Sequence, residues 1–182
     1  MNLTYAGIGS RKTPQNILNI MTKLATKLEQ KGYTLNSGGA KGADEYFEKG
    51  VQSNKNIFIP WLGFNGIFEG IVHNPNSNIG IRATKLAIET HPRPHKLTKE
   101  SLKLMARNCY QILGEDLKTP VDFVICWTPC GMEYEHQRTI YSGGTSQAIS
   151  IASNLGIPVI NLKNDNWKLR FREAIENIQD EF

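Results

Sequence analysis

Apolar and polar positions along the chain follow two alternating periods. Residues 3–8, "LTYAGI", form a short apolar run that breaks at Gly9-Ser10-Arg11, and Pro14 then suits the first turn of a helix. Ile17, Ile20, Met21, Leu24, Ala25 and Leu28 follow at helical spacing, one apolar stripe that Gly32 ends. "YTLNSGG" predicts a second strand running into a glycine loop, "ADEYFEKGV" a second helix, and "NIFIPW" a third strand ended by Pro60. The opening third reads βαβαβ.

From residue 61 to 97 glycine, asparagine and proline dominate ("WLGFNG", "HNPNSN", "HPRPHK"), which predicts irregular excursions around a short helix near "IRATKLAIE". Thr98 then suits a helix cap, followed by the stripe Leu102, Met105, Ala106, Cys109, Ile112 and Leu113 and by Gly114 as the stop. "VDFVICW" is an unbroken apolar strand of the kind buried on both faces in a parallel sheet. A second glycine loop, "YSGGTSQAI", opens another helix, "IPVINL" supplies a last strand, and an amphipathic helix closes the chain. The alternation predicts one domain over residues 1–182: α/β, Rossmann-like and doubly wound, with a mainly parallel sheet, helices on both faces and an irregular helical excursion at about 61–118.

Composition narrows the classes. A formal charge of +4, with lysines scattered along helices, permits an anionic ligand without requiring one. Cys109, Cys126 and Cys130 give an odd count and lack the further Cys or His spacing of a zinc site, so they read as reduced thiols in the cytoplasm. No signal-like start and no run of about 18 apolar residues occurs, so neither secretion nor a membrane is expected.

In open parallel sheets ligands bind beyond the carboxyl ends of the strands, where strand order reverses. Three loops lie at such ends: Gly9, Ser10 and Arg11; Ser37, Gly38, Gly39, Lys41, Gly42 and Asp44; and Ser142, Gly143, Gly144, Thr145 and Gln147. Each starts a helix, so free backbone N–H groups and the positive end of a helix dipole should converge on a phosphate, with Ser10, Ser37, Ser142 and Thr145 as hydroxyl donors. Tight turns alone would also explain any single one of these loops. Neither glycine loop is a P-loop, and neither shows the dinucleotide G-x-G-x-x-G pattern.

The motifs "GIGSRKTP", "SGGAKGADEYFEKG" and "GGTSQAI" followed by "GIPVINL" resemble the SLOG superfamily, which joins DNA-processing protein A with the LOG phosphoribohydrolases. The Gly-Ser-Arg and Ser-Gly-x-Ala-x-Gly-x-Asp motifs of the DNA-processing branch fall on Gly9 to Arg11 and on Ser37 to Asp44. The fuller pattern, with "LMARNCYQILG" and "VDFVICWTP", is similar to small stand-alone members often encoded by bacteriophages. The resemblance implies a Rossmann-like fold binding a nucleotide-derived small molecule, in a homo-oligomer, with sequestration or sensing of a nucleotide signal as one role. Two alternatives stay open: an N-glycosidase or phosphoribohydrolase acting on nucleoside phosphates, and single-stranded DNA binding as a recombination accessory.

The hydrolases of the superfamily need a glutamate where this chain has Ser150, and a hydroxyl cannot stand in for it. Asp44, Glu45, Glu133 and Glu135 are candidate replacements, with Asp44 and Glu133 foremost. DNA is disfavoured because the chain has no basic run. Trp61, Phe64, Phe68, Trp127 and Tyr134 are aromatic candidates to stack a base or cover the sheet edge, and Thr128 beside Trp127 is a further ligand contact. His91 and His95 flank two prolines without ligand partners, so no metal and no cofactor is expected, and His73 and His136 read as lone surface histidines. Arg107 projects opposite the apolar stripe of its helix, toward solvent, a partner copy or a ligand phosphate.

Overall fold

Six parallel strands form the centre of the structure, a computed structural model that describes residues 3–180, with side chains as far as residue 176. They are β1 (Thr4–Gly7), β2 (Thr34–Ser37), β3 (Lys55–Ile59), β4 (Ile71–Val72), β5 (Phe123–Cys126) and β6 (Val159–Asn161). In space the order is β4-β3-β2-β1-β5-β6. The chain builds outward from β1 to β4, then returns to lay β5 on the other side of β1, where Tyr5 pairs with both Leu35 and Phe123. Strand order therefore reverses between β1 and β5, which puts the switch point there.

Successive strand residues point to opposite faces, and the two cores follow that alternation. Tyr5, Leu35, Phe123 and Ile125 pack with Met21, Leu28, Phe47 and Ala174, from α1 (Gln15–Gln30), α2 (Ala43–Lys49) and α6 (Trp167–Asp180). Ala6, Val124 and Cys126 pack on the other face with Ala83, Ala87, Ala106, Cys109 and Ile149, from α3 (Asn78–Thr90), α4 (Lys99–Leu113) and α5 (Thr145–Asn154). Helices on both faces of a parallel sheet make the fold doubly wound. The Tyr5 and Phe123 rings stack at 5.8 Å across the β1–β5 pair, fixing the register beside the switch point.

The middle of the chain is more regular than its composition suggests. β4 is two residues long, too short to leave a period, and pairs with β3 at the sheet edge. α3 spans 13 residues because Ser77 caps it, its hydroxyl accepting from Gly80 N at 2.9 Å. α4 begins after the expected cap, with Thr98 Oγ1 accepting from Ser101 N at 3.1 Å. It is buried all round from Met105 to Leu113, because its second face closes on the loops at the strand ends.

Candidate functional site

The loops after β1 and β2, the face of α4 and the segment leading into α5 enclose a cavity of about 720 Å³ at the switch point. That size suits a small-molecule ligand. Its rim carries Arg11 and Lys12 from the β1 loop and Ile140, Tyr141, Gly143 and Gly144 from the approach to α5. Its apolar wall is Ile8, Leu104, Met105 and Ala148, and its buried polar groups are Asp44, Arg107, Asn108, Gln111 and Ser142.

The third glycine loop leaves backbone N–H groups open at the start of α5. Among the described residues the backbone N–H groups of Gly143, Gly144 and Thr145 have no acceptor within the chain, whereas Ser146 N and Gln147 N are bonded to Gly143 O and Gly144 O. Gly143 has φ +64 and open space where a side chain would stand, so its N–H can be approached from the cavity. α5 adds the positive end of its dipole.

In the β1 loop, Ser10 N donates to Trp127 O at 3.1 Å and Ser10 Oγ accepts from Lys12 N at 3.0 Å, which turns the hydroxyl back on its own loop. A Cβ on Gly9 would come 2.7 Å from that of Ala43 and 3.2 Å from Trp127 N, so glycine there lets the β1 loop nest against α2 and β5. Gly42, at φ +89, packs on Arg11 Cα, joining the first and second loops.

The second loop behaves differently from expectation. Ser37 is fully buried and its hydroxyl donates to Gly7 O at 2.7 Å, so it braces β1 rather than a ligand. Gly38 O accepts a short hydrogen bond from Arg107 Nη1. Gly39 and Lys41 line a separate cleft of about 430 Å³ beside Glu45, Glu48 and Lys55. Of this loop only Ala40 and Asp44 reach the main cavity.

Arg107 is 5% exposed rather than solvent-facing, and its Nη1 lies 3.4 Å from Asp44 Oδ2. Burial pushes the Asp44 carboxyl above its usual range, opposed by the Arg107 charge. Burial likewise lowers the Arg107 guanidinium, with Asp44 opposing and Arg11 adding a repulsive push, so both arginines act on the same space. Arg107 Nε and Gln111 Nε2 are buried without a hydrogen-bond partner. Such a pair is costly to desolvate, and its place in a cavity wall makes it a candidate functional pair.

The other candidates fall outside the cavity wall. Glu133 is buried, accepts from Asn161 N at 2.9 Å and pairs with Arg170 at 3.2 Å. Thr128 Oγ1 bonds Asn161 and Met132 N, and Trp127 belongs to the core beneath. Gln147 is tied to Asn108 and Thr90 and so fixes α5 against α4. Glu45 is bound to Lys49 at 2.8 Å, and Glu135 is 3.9 Å from Arg138. Ser150 is fully buried, its hydroxyl accepts from Arg138 Nη2, and it is not among the residues that line the cavity. Among the described residues Asp44 is left as the sole carboxylate in the wall.

Phe64 is buried edge-on to Trp61, while Phe68 is exposed away from the cavity. His73 is not a surface residue: it is buried, and its Nδ1 meets Tyr110 Oη at 3.1 Å. No group of three or more His, Cys, Asp or Glu side chains among the described residues is placed to hold a metal ion.

Sequence reading missed Lys12, Met105, Gln111, Ile140, Tyr141 and Ala148. Gln111 had a signal: with Arg107 it forms a polar i, i+4 row on a helix whose other face is apolar. Ile140 and Tyr141 had none, because the residues from 127 to 144 follow no period.

A scan of protein-family models and a search of curated proteins find no match. Among solved structures the fold is similar to DNA processing protein A from Helicobacter pylori, at 19% identity and TM-score 0.52, covering 98% of this chain and 74% of that one. That structure concerns a mode of single-stranded DNA binding. At this identity the likeness carries the fold: a DNA-processing-protein-A-like, Rossmann-type α/β sheet.

Proposed function

We propose that the chain binds the phosphate of a nucleotide at the rim of the strand-end cavity. The observation that carries this reading is the coincidence, on one rim, of the unpaired N–H groups of Gly143 to Thr145 with the exposed cations Arg11 and Lys12. N–H groups at a helix start hold anionic oxygens, and two nearby cations neutralise the charge. Holding needs no chemistry. Asp44, the one wall carboxylate among the described residues, is engaged by Arg107, so among them a hydrolytic reading rests on that residue.

Calorimetry of the chain with nucleoside monophosphates tests the proposal. Gly143→Asp places a carboxylate over the N–H cluster in open space, in a backbone region that Asp tolerates better than most residues. Affinity should drop about tenfold or more, by loss of one charge-assisted contact and gain of repulsion, with the melting temperature little changed. Equal affinity in a folded Gly143→Asp variant would remove the rim from the reading.

A second reading is that the nucleotide belongs to a single DNA strand. The likeness to the Helicobacter pylori protein favours it over the free small molecule, as does Tyr141, 72% exposed on the rim, where a base can stack. Fluorescence anisotropy with a labelled oligonucleotide, competed by monophosphate, separates the two. Displacement by micromolar monophosphate supports the small molecule, and displacement only by strands supports DNA.

A further inference from the structure

The cavity wall has three kinds of surface. Arg11, Lys12, Gly143 and Gly144 are exposed at its mouth, and Ile8, Leu104, Met105 and Ala148 form an apolar sleeve. Asp44, Arg107 and Gln111, each 5% exposed or less, form a buried polar patch, the floor. Asp44 and Arg107 offset each other's charge, so the floor holds little net attraction for an anion.

It does hold unmet hydrogen-bonding capacity of both kinds. Gln111 Nε2 is a buried donor that lies close enough to Asp44 to lower its pKa yet makes no hydrogen bond of normal geometry. Asp44 uses Oδ2 for Arg107 and for Ala40 N, Gly38 and Gln111 lie close enough to hold its pKa down, and among the described residues no hydrogen bond of normal geometry reaches Oδ1. A buried polar group without a partner is rare enough to call for a ligand or a water. The matching ligand part has flat apolar faces for the sleeve, a neutral edge with both a donor and an acceptor for the floor, and a link to an anion at the mouth. Within a nucleotide, that part is the base.

Building on the rim as a phosphate site, we propose that the floor reads the base, with Gln111 and Asp44 as specificity-determining residues and Arg107 as the positioning residue that holds Asp44. Gln111 donates to a ring acceptor and Asp44 Oδ1 accepts from an amino or imino N–H. Discrimination between bases then comes from the edge that satisfies both, because the wrong edge leaves one group buried and unpaired.

The test titrates the full chain with the four ribonucleoside 5′-monophosphates, ribose 5-phosphate and inorganic phosphate. At least one monophosphate should bind about tenfold or more tighter than ribose 5-phosphate, and about tenfold tighter than the least favoured monophosphate, the scale of one matched edge. Gln111→Met, which removes an amide whose Nε2 makes no hydrogen bond of normal geometry among the described residues, should cut the spread among bases to within about threefold while leaving ribose 5-phosphate affinity and the melting temperature unchanged or higher. Arg11→Ala should weaken every phosphate-bearing probe by a similar factor and keep the ratios. Equal affinity for ribose 5-phosphate and the best monophosphate would overturn the base reading while leaving the phosphate site standing. Four equal monophosphates, or a Gln111→Met variant that keeps the spread, would remove Gln111 and Asp44 as readers. No binding of any probe would sink the phosphate site itself.

Discussion

Gly38 shows how a residue's tolerance is set by a side chain far along the chain. A Cβ there would fall on the Arg107 guanidinium, so a substitution at Gly38 breaks the Arg107–Asp44 pair and tests folding, not phosphate binding. Gly143 is the informative glycine. The pair itself yields a prediction, because both members are buried and neither has another full-charge partner within 4 Å among the described residues. Arg107→Met should destabilise the chain by about 3–5 kcal/mol by stranding the carboxylate, and adding Asp44→Leu should recover most of it. Urea denaturation of the single and double variants measures both. The pH dependence has a definite sign. Burial raises the folded pKa of Asp44, so its contribution to stability is fully present below the unfolded carboxylate value, about 3.9, and is lost as pH rises through the folded value. Stability of the parent relative to Asp44→Asn should therefore fall from about pH 4 upward and level off once Asp44 is ionised. A difference that rises with pH would mean that the Arg107 charge, not burial, dominates. None of this was legible in the sequence: the helical wheel placed Arg107 opposite the apolar stripe, but periodicity cannot say that the opposite side is covered by the Gly38 loop.

At the scale of elements, sequence reading succeeds where a period runs long enough to be counted. α1 has five buried apolar positions at helical spacing, and β5 is buried at all four, so each announces its partner face. β4, two residues against the edge of β3, and the stretch from 127 to 144 have no such repeat, and Ile140 and Tyr141 on the cavity rim were lost with it. Loops at strand ends were found because glycine before a helix is a local signal, but whether a loop faces the ligand or braces the sheet is decided by tertiary contact. Gly9 lines the cavity and also packs on Ala43, whereas Ser37, the last residue of β2, only braces β1. Gly9→Ala tests the bracing: its methyl would press Ala43 and the backbone of Trp127, pushing the start of α2 away from β1. The cost should be about 1–3 kcal/mol, read as a lower urea midpoint. An unchanged midpoint would mean that the β1 loop yields without strain.

For the whole molecule the net charge of +4 matters less than where the charge lies. Of the cations, Arg11 and Lys12 stand at the cavity mouth and Lys41 is exposed on the neighbouring loop, while Lys49 and Lys55 are engaged by Glu45 and Glu48. A single strand entering the cavity therefore meets about three uncommitted cations. With roughly 0.7 counterions released per neutralised phosphate, the log of its association constant should fall with log salt at a slope of about −2. A free monophosphate carries no condensed counterion atmosphere, so its affinity should fall with salt only by ordinary screening and with a clearly shallower slope. Titrations between low and physiological salt distinguish the two, since a slope of −2 over a fourfold change in salt is about a sixteenfold loss of affinity. Arg11→Ala should flatten the strand's slope by a little under one unit, whereas Gln111→Met, which removes no charge, should leave it untouched. A slope of about −5 or steeper would require a basic track beyond the strand ends, and would move the interaction surface away from the cavity altogether.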